Sequence, residues 1–204
     1  MMESFRVKLK GARVPKVTRN IVTILVLVVA ATIGNRAAAA DFPAQIKAGE
    51  HRLLLNGWGA RTKFYLEMYV AGLYLTKTNS DPAAIAAANE PMSIRVKITS
   101  GMVSQAKMVQ SLTDGFHNAT GGNVASIQPE INQFRKCLTE AITKGDTFDF
   151  VYLPEHGVMI SKNGKLKGVV AGIEFKKALF NIWLSDKPAD ANLKKAMLTR
   201  SLRR

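Results

Sequence analysis

The sequence has few of the residues that build disulfide frameworks and metal centres. It contains one cysteine, Cys137, and three histidines in 204 residues. A single cysteine excludes an internal disulfide, and the histidines show no metal-ligand spacing to one another or to the cysteine. No metal site is therefore predicted, and Cys137 is interpreted as a half-buried packing residue in a helix.

Other absences restrict the function. The sequence shows no internal repeat, no linker that would split it, no cofactor motif and no recognised nucleic-acid motif. Its basic residues form no stripe interleaved with aromatics, so nucleic-acid binding is not expected. Pairs such as Lys176-Lys177 and Lys194-Lys195 are interpreted as solvated helix faces. Peripheral contact with an anionic membrane surface stays open.

The first forty residues have the pattern of a secretory signal. A lead that holds six lysines and arginines precedes an apolar run of 13 residues, Ile21 to Ile33, and Ala37 to Ala40 follow. The run is shorter than the roughly 20 residues that span a bilayer. The pattern predicts a cleavable signal over 1–40 with cleavage near Ala40, and a single domain over 41–204. Such a protein would be periplasmic or secreted in a bacterium, and a retained membrane anchor is the alternative.

The segment Leu53 to Leu75 carries most of the functional information. Two glycines bracket Trp58, and this suggests a tight turn or a bulge before Arg61. The aromatic and apolar residues that follow predict a strand with two different faces. The face predicted to pack on helices holds Phe64, Leu66, Met68, Val70 and Tyr74. The face predicted to line a cleft holds Tyr65, Glu67, Tyr69, Ala71 and Leu73.

The remaining pattern alternates short strands and helices. Strands are predicted over His51–Asn56, Met92–Thr99, Thr147–Leu153, Val158–Ser161 and Leu166–Val170, with Asn163-Gly164 as a hairpin turn. Helices are predicted over Ala83–Ala88, Ser104–Asn118, Ser126–Lys144, Gly172–Leu184 and Leu193–Leu198. This order predicts an α+β domain with an antiparallel sheet.

Two strings indicate a family. GWGARTKFYLEMYVAGLYL, from Gly57, and FNIWLSDKPAD, from Phe180, resemble the bacterial branch of the chalcone isomerase-like family. The resemblance covers roughly residues 45 to 200. It implies a curved antiparallel sheet covered by a layer of helices, with an apolar cleft between them. Some plant members of this family cyclise chalcones, whereas others resemble carriers that bind fatty acids without catalysis.

The resemblance also implies which residues face the cleft. It places Arg61 and Tyr69 there as ligand-binding residues, with Tyr65 and Leu73 around the ligand and a cation from Arg95 or Lys97. Gln110 and Asn181 are predicted as further ligand contacts. On one unbroken strand Arg61 and Tyr69 would be about 26 Å apart. The chain is therefore predicted to reverse between Thr62 and Tyr65. In the alternative interpretation Arg61 is a rim residue and Tyr69 a core tyrosine whose hydroxyl meets a backbone carbonyl.

Departures from the enzymes' pattern weaken the prediction of catalysis. Val103 or Ser104 stands where the enzymes have a tyrosine, Gln110 or a neighbour replaces an asparagine, and Asn181 or Ile182 replaces a threonine. Three hypotheses remain. The first is a protein that binds a fatty acid or similar amphipathic carboxylate, and the second is a lyase or isomerase acting on a chalcone-like phenolic enone. The third is a non-catalytic interaction module of the cell envelope.

Overall fold

The computed structural model describes residues 42–199, so the predicted signal over 1–40 lies outside the described residues. Seven strands form one antiparallel sheet, and their order in the sheet is their order in the chain. The strands are β1 (Gln45–Ala48), β2 (His51–Lys63), β3 (Leu66–Leu75), β4 (Met92–Ile98), β5 (Thr147–Leu153), β6 (Gly157–Lys162) and β7 (Lys165–Val170). The helices are α1 (Pro82–Ala87), α2 (Gln105–Ala119), α3 (Gln128–Lys136), α4 (Ile173–Leu184) and α5 (Ala191–Leu198).

The main hydrophobic core lies between the sheet and the helices. Ile94 and Phe150 of the sheet belong to the same buried cluster as Phe116, Phe134 and Phe175 of the helices. The curled antiparallel sheet with its helices confirms the predicted α+β architecture. No helix within 42–199 combines the length and apolar character needed to cross a bilayer.

Strand β3 is buried on both faces, and this reverses one prediction. Ala71 and Leu73 pack into the main core with the helices. Val70 and Tyr74 instead join a smaller cluster that contains Phe42 and is flanked by Trp58. The prediction that Val70 and Tyr74 pack on the helices is therefore wrong. Alternation was misleading here because apolar residues occupy both sides of this strand.

The glycine-rich segment is a bulge inside β2 rather than a turn. The register with β3 shifts between Leu55 and Gly57, and Asn56 is the extra residue. The Asn56 amide donates 2.8 Å hydrogen bonds to the carbonyls of Asn79 and Met197. A methyl group on Gly57 would lie 2.2 Å from the carbonyl oxygen of Ala196. The absence of a side chain at Gly57 thus allows the end of α5 to lie directly on β2.

Helix α3 is shorter than the predicted helix over Ser126–Lys144. A 3₁₀ turn precedes it, and the helix ends at Lys136. Partners outside the helix satisfy the backbone beyond this point, since Gln105 donates to the Leu138 carbonyl and Asp146 accepts from the Thr143 amide. Cys137 caps this helix and is half-buried, as predicted.

Lys176 is fully buried, which contradicts its interpretation as part of a solvated helix face. Its ammonium group donates to the carbonyls of Ile85 (3.3 Å), Ala86 (2.9 Å) and Ala88 (2.6 Å). It also lies 5.3 Å from the centre of the Tyr152 ring. Lys176 of α4 therefore caps the carboxyl end of α1, where the helix dipole favours a positive charge.

Candidate functional site

A cleft with two adjoining lobes opens between the β2–β3 hairpin and helix α2. The first lobe, of about 190 Å³, also contacts α4, and the second, of about 270 Å³, lies toward the start of α2. Both lobes share Arg61, Lys63, Tyr69, Met108, Ser111 and Asp114. The first lobe adds Val96, Leu112, Gly115, Asn118, Phe150, Ile182, Trp183 and residues 187–189, and the second adds Met68, Met102, Val103, Lys107 and Gln110.

The β2–β3 hairpin brings the two predicted ligand-binding residues together. The chain reverses at Phe64 and Tyr65, within the predicted segment, and Arg61 pairs directly with Tyr69 across the ladder. The carbon at the centre of the Arg61 guanidinium lies 5.7 Å from the centre of the Tyr69 ring. The predicted reversal is confirmed, and it places a guanidinium and a phenol in one cleft.

The hydroxyl of Tyr69 accepts a hydrogen bond from helix α4. Tyr69 is a buried core tyrosine, as the alternative interpretation had it, but the partner of its hydroxyl is not a backbone carbonyl. Trp183 on α4 donates its indole N–H to this oxygen over 3.0 Å. Burial raises the pKa of Tyr69 to about 12, against the opposing effects of the Arg61 charge and the Trp183 hydrogen bond. The phenol therefore keeps its proton at neutral pH. Because its oxygen already accepts from Trp183, its own O–H can donate into the cleft.

Arg61 brings a positive charge without a carboxylate partner. Its Nε donates to the Ala189 carbonyl over 3.3 Å, and within the described chain it forms no ion pair. The nearby Asp190 accepts from the backbone of Thr62 and Leu193. A guanidinium with free N–H groups beside a protonated phenol can hold a carboxylate or an oxyanion.

The remaining charges make the cleft cationic. Lys63, Lys107 and Lys187 line it, and Asp114 is the one carboxylate among the lining residues. Asp114 is exposed and accepts a 2.8 Å hydrogen bond from Gln110, a predicted ligand-binding residue that lines the second lobe. An anion that enters the cleft would therefore meet more positive than negative charge.

Arg95 and Lys97 are not at the cleft, which corrects their predicted role. Val96 lines the cleft, and its neighbours on strand β4 point to the opposite face of the sheet. There Arg95 donates to Asp149 over 2.6 Å. The alternation of side chains along a strand thus excludes both cations from the cleft.

Three further predicted contacts lie elsewhere. Tyr65 is fully exposed at the end of the hairpin, and Leu73 is buried in the main core without lining the cleft. Asn181 lines a shallow groove on another part of the surface, with Glu174 and Lys177. The family resemblance assigned no role to Trp183, which lines the first lobe.

The positions that correspond to the enzymes' tyrosine offer no donor to the cleft. Val103 is buried and lines the second lobe with an apolar side chain. The Ser104 hydroxyl accepts from the Lys107 amide as the cap of α2. At the position of the late threonine, Ile182 lines the first lobe. Among residues 42–199, no group of three or more His, Cys, Asp or Glu side chains could hold a metal ion.

Comparisons with known proteins agree with the fold. A fatty-acid binding protein from Arabidopsis thaliana has a similar fold, with a TM-score of 0.60 and 17% sequence identity. The match covers 77% of this chain and 90% of the plant protein. No curated protein sequence matches this chain. The family model described as chalcone isomerase-like matches residues 34–199. The chain therefore belongs to the chalcone isomerase-like family.

Proposed function

We propose that the protein binds a fatty acid or a similar amphipathic carboxylate in this cleft, without efficient catalysis. The observation that carries the proposal is the Arg61 guanidinium, which has no carboxylate partner and lies beside the protonated Tyr69. Burying a carboxylate is costly unless it is paired and hydrogen-bonded, and these two groups supply both interactions. The similarity to a fatty-acid binding protein supports the same ligand class.

The apolar lining suits an acyl chain. The second lobe is bounded by Met68, Met102, Val103 and Met108. Methionine side chains are flexible and adapt to ligands of irregular shape. The two adjoining lobes, of about 190 Å³ and 270 Å³, form one cleft in the lower part of the roughly 300–1,000 Å³ range of common ligand sites. We therefore expect acids of medium chain length to bind without repacking, whereas longer acids require the methionines to move.

Catalysis is disfavoured by the same lining. An isomerase would stabilise charge developing on a ketone oxygen, and a positioned donor of this kind typically contributes about 3 kcal/mol. Val103 and Ser104 supply no such donor to the cleft. Tyr69 remains as the one tyrosine among the lining residues, and its proton is firmly held.

Substituting Arg61 tests the proposal. Arg61→Gln should raise the dissociation constant for dodecanoate about 30-fold or more, because a hydrogen-bonded ion pair to the carboxylate is lost. Isothermal titration calorimetry measures this change. Tyr69→Phe should weaken binding about five-fold, the usual contribution of one neutral hydrogen bond.

Two controls accompany these variants. Arg52→Gln changes an exposed arginine at the other end of the same strand and should leave the affinity unchanged. Arg61→Gln itself should cost only about 1 kcal/mol of stability, since Arg61 makes a single long hydrogen bond and one contact with the Tyr69 ring. Equal affinity of wild type and Arg61→Gln for dodecanoate would refute the proposal.

We also propose that the protein is exported, on the basis of the signal pattern over residues 1–40. Export would place the carrier in the cell envelope, between the membranes or outside them. The intact mass of protein purified from its own host should correspond to a chain that begins at Asp41. A mass that includes the apolar run Ile21 to Ile33 would indicate a retained anchor instead.

A further inference from the structure

The end of the β2–β3 hairpin exposes three consecutive apolar side chains. Phe64, Tyr65 and Leu66 are 82%, 104% and 49% exposed, and together we call them the aromatic tip. Exposed apolar residues are common as single positions, whereas a contiguous cluster on a projecting element usually marks an interaction site. Nothing in the packing of the domain requires large apolar residues here.

The backbone of the aromatic tip is also unfavourable for its residues. Phe64 and Tyr65 have φ values of 51° and 64°, and Lys63 pairs with Leu66 across this two-residue turn. Such turns strongly prefer Asn-Gly, and bulky residues with positive φ are strained. Another two-residue turn, between β6 and β7, has Asn163 and Gly164 with φ values of 51° and 75°. The same sheet thus contains the favourable solution, so the two aromatic residues point to a role outside folding.

The aromatic tip is continuous with the mouth of the cleft. Lys63 lines both lobes and directly precedes Phe64. Met102, which is 51% exposed, and Lys107 stand at the second lobe, and Lys107 donates to the Met102 carbonyl over 3.1 Å. Lysines beside exposed apolar side chains are typical of surfaces that enter the interfacial region of a membrane. Glu67 is the exposed acidic residue next to the tip along the chain.

We propose that the aromatic tip inserts into the interfacial region of a membrane that contains anionic lipids. Aromatic side chains are favourable at the level of the lipid head groups, and Lys63 and Lys107 would meet the negative surface. This orientation brings the mouth of the cleft to the membrane. A fatty acid could then pass between bilayer and cleft without crossing open water. That use of the contact rests on the proposed function, but the insertion itself does not.

A double substitution tests the insertion without weakening the fold. Phe64→Asn with Tyr65→Gly installs the dipeptide of the β6–β7 turn, so the domain should be as stable as wild type or more stable. Association is measured by flotation with ligand-free vesicles of phosphatidylcholine and phosphatidylglycerol. Loss of the two aromatic rings that would enter the membrane should reduce vesicle association about tenfold or more. Wild type should bind vesicles of phosphatidylcholine alone more weakly, because the charge contribution is absent.

Failure of the insertion and failure of the proposed function give different results. Dodecanoate binding by calorimetry should be the same for the double variant and wild type, since Phe64 and Tyr65 do not line the cleft. Failure of the proposed function would appear in that titration, and failure of the insertion only in the flotation. Equal vesicle association of both proteins would overturn the proposal. The proposal would also be overturned if wild type is a dimer that does not bind vesicles and the double variant is a monomer. That result would assign the aromatic tip to self-association.

Discussion

Gly57→Ala is expected to lower the free energy of unfolding by about 3 kcal/mol, the upper end of the usual cost of overpacking. The added methyl group would lie 2.2 Å from the Ala196 carbonyl oxygen and 2.8 Å from those of Met197 and Thr199. These are backbone atoms at the end of α5, so they cannot move without displacing the helix. The neighbouring Asn56 side chain, which binds the Met197 carbonyl, would lose its geometry as well. Urea denaturation followed by circular dichroism measures the change.

Gly57→Ala should also affect the cleft, because it displaces α5. Asp190 caps the first turn of α5 and accepts from the Thr62 amide, while Ala189 accepts from Arg61. Displacing α5 should therefore loosen Arg61 and weaken dodecanoate binding together with stability. Gly101→Ala is the matched control, because nothing lies within 4 Å of its added methyl group. A change below about 0.5 kcal/mol for Gly57→Ala would contradict the close packing of α5 on β2.

Lys176→Met is expected to destabilise the domain by about 2–3 kcal/mol. The substitution keeps the length of the side chain but removes three hydrogen bonds to the end of α1, and leaves the carbonyls of Ile85 and Ala86 buried without a donor. The variant also avoids the free-energy cost of burying a charged ammonium group, but this gain offsets only part of the loss. Lys177→Met should change stability by less than about 1 kcal/mol, because its ion pair with Glu174 is at the surface. Similar unfolding curves for the two variants would contradict the capping role.

The pH dependence of stability gives a second signature of Lys176. Burial lowers the pKa of Lys176 from 10.5 to about 8; the charge of Lys177 acts in the same direction and that of Glu90 opposes it. Between these two values the unfolded chain binds more protons than the folded chain, so the free energy of unfolding rises with pH in this window. The rise should be absent in Lys176→Met, and the difference between the two proteins isolates it from other titrations. Parallel profiles from pH 8 to 10.5 would show that the lysine is not desolvated.

Local patterns predicted much of the fold because they have local physical causes. The Asn163-Gly164 turn follows from the positive φ values that a two-residue hairpin requires. The reversal between Thr62 and Tyr65 followed from the resemblance and distance together, since the resemblance placed Arg61 and Tyr69 at one ligand and the two residues cannot share a ligand on an extended strand. The glycines on either side of Trp58 suggested a tight turn or a bulge, and the structure has a bulge at Asn56. The contact of α5 with Gly57 explains why the strand continues.

The wrong predictions involve information that is not local. Strand β3 is apolar on both sides, so alternation alone could not tell which face the helices cover. Arg95 and Lys97 were assigned to the cleft from the family pattern, but the pleat of β4 turns Val96 toward it instead. The burial of Lys176 depends on the end of α1, which lies about ninety residues earlier in the chain. Only the assembled fold shows that contact.

The hydrogen bond between Trp183 and Tyr69 makes Trp183 an intrinsic fluorescence probe of the cleft. The chain has two tryptophans, and the other, Trp58, stacks on Phe42 at 5.4 Å beside the smaller core cluster. A carboxylate that engages the Tyr69 hydroxyl changes the polarity next to the Trp183 indole but not next to Trp58. Occupancy of the cleft can therefore be followed by intrinsic fluorescence in Trp58→Phe, without a label on either the ligand or the protein.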